Sequence, residues 1–523
     1  MPRHLRQHSR IGALVAAVGI AALLAGCAPA ATPGGGGASA EPVAGGTLTF
    51  GRVASVNSLD LHQQITANNA FAIDKVFEPL LSFNADGEIE PWLAEKYTVS
   101  DDELTYTFQL RKDLKFSDGT DVTSADVVFS LNRHLEVVGP LPLTAPIASI
   151  EATDAATIVI ALSAPYTPFL GELSQFSNGI IPADFGGRTE EEFFAAPIGT
   201  GPFAVDEWDP AGDISFVKNE HYWQEGKPYL DELVYSLVPE DTQLIQQLQS
   251  GQLGAIDQVN PAGVEELTAN AEVNVLESAG WTIEQVFFNT LDEHFADRNV
   301  RRAIAYALDR EGIAAATTFG LADVANSLVP PAIEYSANEE GYALDYDVDA
   351  AKEALAASAY PTGFETTLLI ASGNAQRAQE AQIIQDALAE IDITVNIESI
   401  DIAAFRERFR ALDYEFMINS GVSDQPDPNG LITFQADPEG FSKSYWTSYT
   451  NPEVTELMHQ GRTTANGPER EAIYLQIQEI LANDVPYIPL FYPETVKATT
   501  SKVHGIEVLP NGSVRFQDAW IEE

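Results

Sequence analysis

Carboxylates, histidines, one cysteine and glycine-rich turns are the features of this 523-residue chain that could do chemistry. Carboxylates dominate, with 77 Asp and Glu against 28 Lys and Arg and a formal charge of −49. No motif marks out an acid–base pair among them. The eight histidines are scattered, with no pair at helical spacing, so no zinc set is expected. Gly199–Ala204 (GTGPFA) loosely fits a dinucleotide loop. However, Pro202 stands where a phosphate-facing backbone donor is needed, and a strand is expected next. DYDVDA, from Asp345, begins like a calcium loop, but its sixth position is not glycine and Ala356 stands where the closing glutamate belongs. It reads better as a helix start capped by Asp347 or Asp349. There is no His-Glu-x-x-His string, Gly-x-Ser-x-Gly elbow or Walker loop. No catalytic residue, metal site or cofactor is therefore expected.

Cys27 is the only cysteine, and it closes the string Leu24-Ala25-Gly26-Cys27. Arg3, Arg6 and Arg10 precede an apolar run from Ile11 to Leu24. This is the order of a secretory signal: basic region, apolar region, small-residue cleavage site. The run of about 14 residues is short for a membrane span. The string resembles the bacterial lipobox, which implies lipidation of Cys27 after cleavage of residues 1–26. The next segment, residues 27–46, is rich in Gly, Ala and Pro and has no apolar periodicity. It reads as a flexible tether spanning about 24 Å.

With no cysteine after the tether, no disulfide can brace the body, and packing must hold it together. The acid excess excludes a polyanionic partner such as nucleic acid, and no basic stripe offsets it. It reads either as a solubilising surface or as a field that steers cationic ligands.

The elements that must position any site alternate between strand and helix. Thr47–Phe50 is a short strand, and 70–81 is helix-like. Leu104–Arg111 alternates with period two, so Leu104, Tyr106, Phe108 and Leu110 share a face. Ser124 is the expected N-cap of the next helix. Strands are expected at 158–162, 214–218 and 233–239, with a helix at 242–250. A single helix is expected over 299–316. Thr366–Ala371, Gln376–Ile391 and Ile393–Ile397 form a strand–helix–strand unit, which requires parallel pairing and a right-handed crossover. A last helix covers 468–483. The class is α/β.

Four ordered strings carry a resemblance over nearly the whole body: Val76–Arg133, Pro197–Trp223, Phe287–Ile313 and Ser423–Leu431 (SDQPDPNGL). Together they resemble the family 5 solute-binding proteins of ABC importers, which include dipeptide-, oligopeptide- and nickel-binding lipoproteins. Within them, Pro91–Ala94 reads as the opening of a helix with a bulky anchor. Asp118-Gly119-Thr120 reads as a chain reversal.

The resemblance implies a two-lobe periplasmic-binding-protein-like fold (type II, cluster C) with an extra subdomain in the first lobe. The expected parts are lobe I (47–81, 201–283 and 488–523), the extra subdomain (82–200) and lobe II (284–487). Chain crossings are expected near 280–289 and 485–492. The resemblance also implies capture of a short peptide between hinged lobes and delivery to ABC permease subunits. The protein would be a monomer, lipid-anchored outside the cytoplasm and without a catalytic step. By the same resemblance Asp424 pairs with the ligand α-amine and Arg377 with its carboxylate, with Arg406 and Arg408 as rivals. Trp281 and Trp446 are expected as cleft walls. Other solutes of the family, namely oligosaccharides, opines and nickel complexes, stay open, as does the rival class of an exported hydrolase.

Overall fold

The computed structural model describes residues 41–523 except Gln64, Ile65, Val138, Pro140, Phe441 and Glu523. The expected leader, Cys27 and most of the expected tether lie outside the described residues. Gly45 and Gly46 already belong to the body: the Gly45 amide donates to Tyr229 O (2.7 Å), and the Gly46 amide donates to the Asp231 carboxylate.

Among the described residues, twelve strands join in one sheet that serves two core regions. Its main path runs through strands beginning at residues 394, 365, 416, 282, 487, 255, 47, 232, 214 and 203, in that order. Strand Tyr487–Thr500 joins the halves. Its first part, with Ile488, Leu490 and Phe491, packs with the helices of residues 298–391. Its second part, with Val496 and Ala498, packs with Leu244, Leu248 and Leu267. Val273–Ala279 and Thr282–Phe288 both pair antiparallel with this strand, one on each part. Gly280 sits between them, where a Cβ would come 3.2 Å from Pro510 O and 3.0 Å from Thr495 Oγ1. A buried charge cluster ties the first half to the long strand. Asp257 accepts from Arg52 Nε (3.1 Å) and Lys497 Nζ (2.6 Å). The two-lobe α/β architecture is thus present.

The strand–helix–strand unit forms as its pattern predicts. Glu365–Ala371 pairs parallel with Thr394–Ile400, with helix Ala375–Ala389 between them in the chain. A second, four-stranded antiparallel sheet is ordered Ala94–Val99, Thr105–Leu110, Thr157–Leu162, Ile147–Ala152. Tyr106, Phe108 and Leu110 are buried, as period two requires. Helix Ser124–Glu136 contacts this sheet.

Several local expectations are corrected. The first helix spans Ala67–Val76 and a strand begins at Leu81, because Pro79 removes a donor and forces the preceding residue out of the helical region. Thr123 rather than Ser124 is the N-cap, closing a reciprocal box with Asp126. Pro91–Ala94 opens no helix; it links strand Ile89–Pro91 to strand Ala94–Val99. The expected helix over 299–316 is two helices, Arg298–Ala307 and Arg310–Thr318. Leu308 is extended there, and the Asp309 carboxylate accepts from the Gly312 amide at 2.9 Å, so a new helix starts.

Candidate functional site

A cavity of about 280 Å³ lies between two walls of different origin. One is the Leu141–Gln175 region beside the four-stranded sheet; the other runs from Val422 to Arg462. Polar contacts close one side of it. The Thr167 amide donates to Arg462 O (2.8 Å), Thr167 Oγ1 donates to Thr464 O (2.8 Å), and Asn429 Nδ2 donates to Tyr166 OH (3.3 Å). Gly171 also faces the other wall closely, where a Cβ would stand 3.0 Å from Gln425 Oε1.

Asp424 lies between two fixed points. Strand Phe416–Val422 ends just before it, and the Ser423 amide donates to Trp281 O at 3.1 Å. Just after it, Asp427 caps helix Pro428–Ala436 by accepting from the Asn429 amide (2.8 Å), and it also accepts from Arg470 Nη2 (2.8 Å). Proline at the first helical position suits a helix start, since its missing N–H would have no partner there. The Asp424 side chain lines the cavity and is half-buried. Among the described residues it has neither a hydrogen bond nor an ion pair. Burial pushes its carboxyl up to about 6.

Two other wall acids are spoken for. Glu172 Oε2 accepts from the Thr144 and Ala145 amides, each at 3.1 Å. Its Oε1 accepts from Tyr166 OH (2.5 Å) and from Thr144 Oγ1. Burial pushes this carboxyl up, and those four donors pull against it. Asp437 pairs with Arg462 Nη2 at 3.1 Å, and Arg462 also donates to Asn429 Oδ1 (3.1 Å) and Thr433 Oγ1 (3.0 Å).

Arg377, Trp281 and Trp446 are absent from this lining. Arg377 donates to both oxygens of Glu284, from Nε at 2.6 Å and Nη2 at 3.0 Å, and Nη2 also reaches Ser420 Oγ at 2.5 Å. A guanidinium held bidentately by a buried acid is already neutralised. Its geometry therefore does not carry the expected role at a ligand carboxylate. Of its rivals, half-buried Arg408 pairs with Glu398 (2.8 Å) and Asp413 (3.2 Å). Arg406 is half-buried and has no acid partner among the described residues. Burial, then nearby Arg410, pulls its guanidinium below the ordinary value. Trp281 is fully buried: its ring lies 4.8 Å from Phe83, and Nε1 donates to Ala332 O (3.3 Å). It is a core residue and not a cleft wall. Trp446 is half-buried, edge-on to Phe409 at 5.1 Å, with the Arg410 guanidinium 5.9 Å from its ring.

Tyr166, Thr167, Gly171 and Glu172 were missed by the sequence reading. A lone acid within the apolar string Phe169–Phe176 was the available signal. Among the described residues, no group of three or more His, Cys, Asp or Glu could hold a metal ion. No helix there is long and apolar enough to cross a membrane.

Residues 88–443 match the model of the bacterial extracellular solute-binding proteins, family 5. The chain is similar to heme-binding protein A of Haemophilus influenzae, with 30% identity covering 86% of this chain and 87% of that protein. It is also similar to the glutathione-binding protein GsiB of Escherichia coli, with 28% identity covering 85% and 88%. Among solved structures it resembles the periplasmic binding protein DppA of Helicobacter pylori in complex with the peptide STSA. There the TM-score is 0.84 and the identity 29%, covering 92% of this chain and 99% of that one.

Proposed function

The chain belongs to the bacterial extracellular solute-binding proteins of family 5, and on that premise we propose that it captures short peptides for an ABC permease. The observation that carries the peptide reading is Asp424, a half-buried, unpartnered carboxylate in a cavity walled from both sides. A buried charge without a partner is costly, and a ligand α-amine would supply the partner. Arg377 is already paired with Glu284, and neither it nor Arg406 lines the cavity, so no residue is assigned to the other end of the peptide.

The lobe boundaries stay as the resemblance implies, with residues 82–200 as the extra subdomain. The segment that follows lipidated Cys27 tethers a monomer to the extracytoplasmic side of the cell membrane. Ligand that touches both walls would favour the closed arrangement by its differential affinity for it. No chemical step is assigned; the work is capture and release.

Native mass spectrometry of freshly purified protein tests the class of solute, through whatever co-purifies. Calorimetry with a short peptide and its N-acetylated form tests the amine contact. Equal binding of the two forms would remove Asp424 from the role.

A further inference from the structure

The charge of the cavity wall says more than that an amine fits. Among the described residues, the lining holds four acids, Glu172, Asp424, Asp437 and Glu439, and one cation, Arg462. Arg462 is paired with Asp437 at 3.1 Å, so the two cancel. Glu172 takes four donors from its own wall. Asp424, half-buried, and Glu439, exposed, are left without a counter-charge. A separate observation points the same way. Gln425 lines the cavity at 3% exposure, and its Oε1 accepts no hydrogen bond. The charged groups left unpaired on this lining are both anions. An anionic group entering the cavity would find no free cation in the lining and would be buried near Asp424.

We infer that the solute carries net positive charge. If the peptide reading above holds, on which this inference rests, the solute is a peptide with a basic side chain besides its amino terminus. Solutes with an excess of carboxylates are turned away. Glutathione, with two carboxylates and one ammonium, is of the disfavoured kind, so this chain differs in selectivity from a relative of similar sequence. The overall charge of −49 also draws cations, but over distances that salt screens. A preference set inside the cavity survives salt better.

The test is calorimetry on the purified full chain, stripped of bound solute, with Ala-Lys-Ala, Ala-Gln-Ala, Ala-Glu-Ala, spermidine and glutathione. Each is measured at about 0.05 M and about 0.5 M salt. Lysine peptide should bind roughly tenfold more tightly than glutamine peptide, and glutamine peptide roughly tenfold more tightly than glutamate peptide, in that order at both salts. Glu439→Gln should narrow the lysine–glutamine gap without moving the melting temperature, because Glu439 is exposed. Peptides that bind without this order, or glutamate bound as tightly as lysine, overturn the inference and leave the peptide reading standing. Spermidine bound while no peptide binds overturns the peptide reading and supports the charge inference. Glutathione bound in preference to spermidine overturns the charge inference, and no binding at all overturns both.

Discussion

Asp424→Asn removes a charge and keeps the shape. Burial raises this carboxyl from its ordinary 3.8 to about 6. Holding it ionised at pH 7 without a partner then costs at most about 3 kcal/mol, the upper limit because the side chain is only half-buried. The sign follows from the raised value. The penalty is complete above about 6 and vanishes below 3.8. Unliganded Asp424→Asn should therefore melt above wild type at pH 7, with the gain shrinking as the pH falls towards 4. With ligand the effect reverses. A peptide amine in the wild-type cavity meets a counter-charge, and in the variant it is buried without one. That should weaken binding by about 3 kcal/mol, at least a hundredfold. Scanning calorimetry at two pH values and titration calorimetry with the free and N-acetylated peptides read both effects. Wild-type affinity in Asp424→Asn would refute the amine contact. An unchanged melting temperature at pH 7 would refute the desolvated carboxylate on which the magnitude rests.

Gly171→Leu should lower ligand affinity at least tenfold with little change in unliganded stability, because its side chain must enter the space of Gln425 and Asp427; scattering with saturating peptide should show the wall contact failing to form. Burial alone would raise the Asp257 carboxyl, but Lys497 and Arg52 beside it hold it down to about 2. Its contribution is present above 3.8, is lost as the pH falls through about 2, and amounts to roughly 2 kcal/mol. Asp257→Asn leaves Arg52 and Lys497 unpaired and should cost about 3–5 kcal/mol at pH 7 by chemical denaturation. Cys27→Ser should abolish incorporation of a labelled fatty acid in the producing cell, and retained label would show that the anchor lies elsewhere.

Regular elements were legible where periodicity was strong. Tyr106, Phe108 and Leu110 alternate, and Ile384 and Leu388 stack on one helical face, so local pattern and tertiary burial agree. Boundaries failed where one residue decided the matter. Asp309 reads equally well inside a helix or as a cap, and only the extended Leu308 before it settles which. No local period announces the full length of strand Tyr487–Thr500, because its pairing partners are some 200 residues away. The site divides similarly. Asp424 lines the cavity. Arg377 does not, because its partner Glu284 comes from a strand 93 residues earlier and no local spacing announces the pair. The opposite wall was invisible for the same reason: Thr167 and Arg462 meet only in three dimensions.

The single strand shared by both cores has a mechanical consequence. Backbone hydrogen bonds run along Tyr487–Thr500 on either side of Gly280, so the connection is a bonded ribbon and not a pair of loose threads. A ribbon resists shear and stretching but yields to twist, because strands twist naturally. Relative displacement of the two halves is thereby funnelled into one soft coordinate. A solute that draws the two halves together would then change one angle. A membrane partner could gauge occupancy by the spacing of two distant surface points, with no need to touch or recognise the cargo.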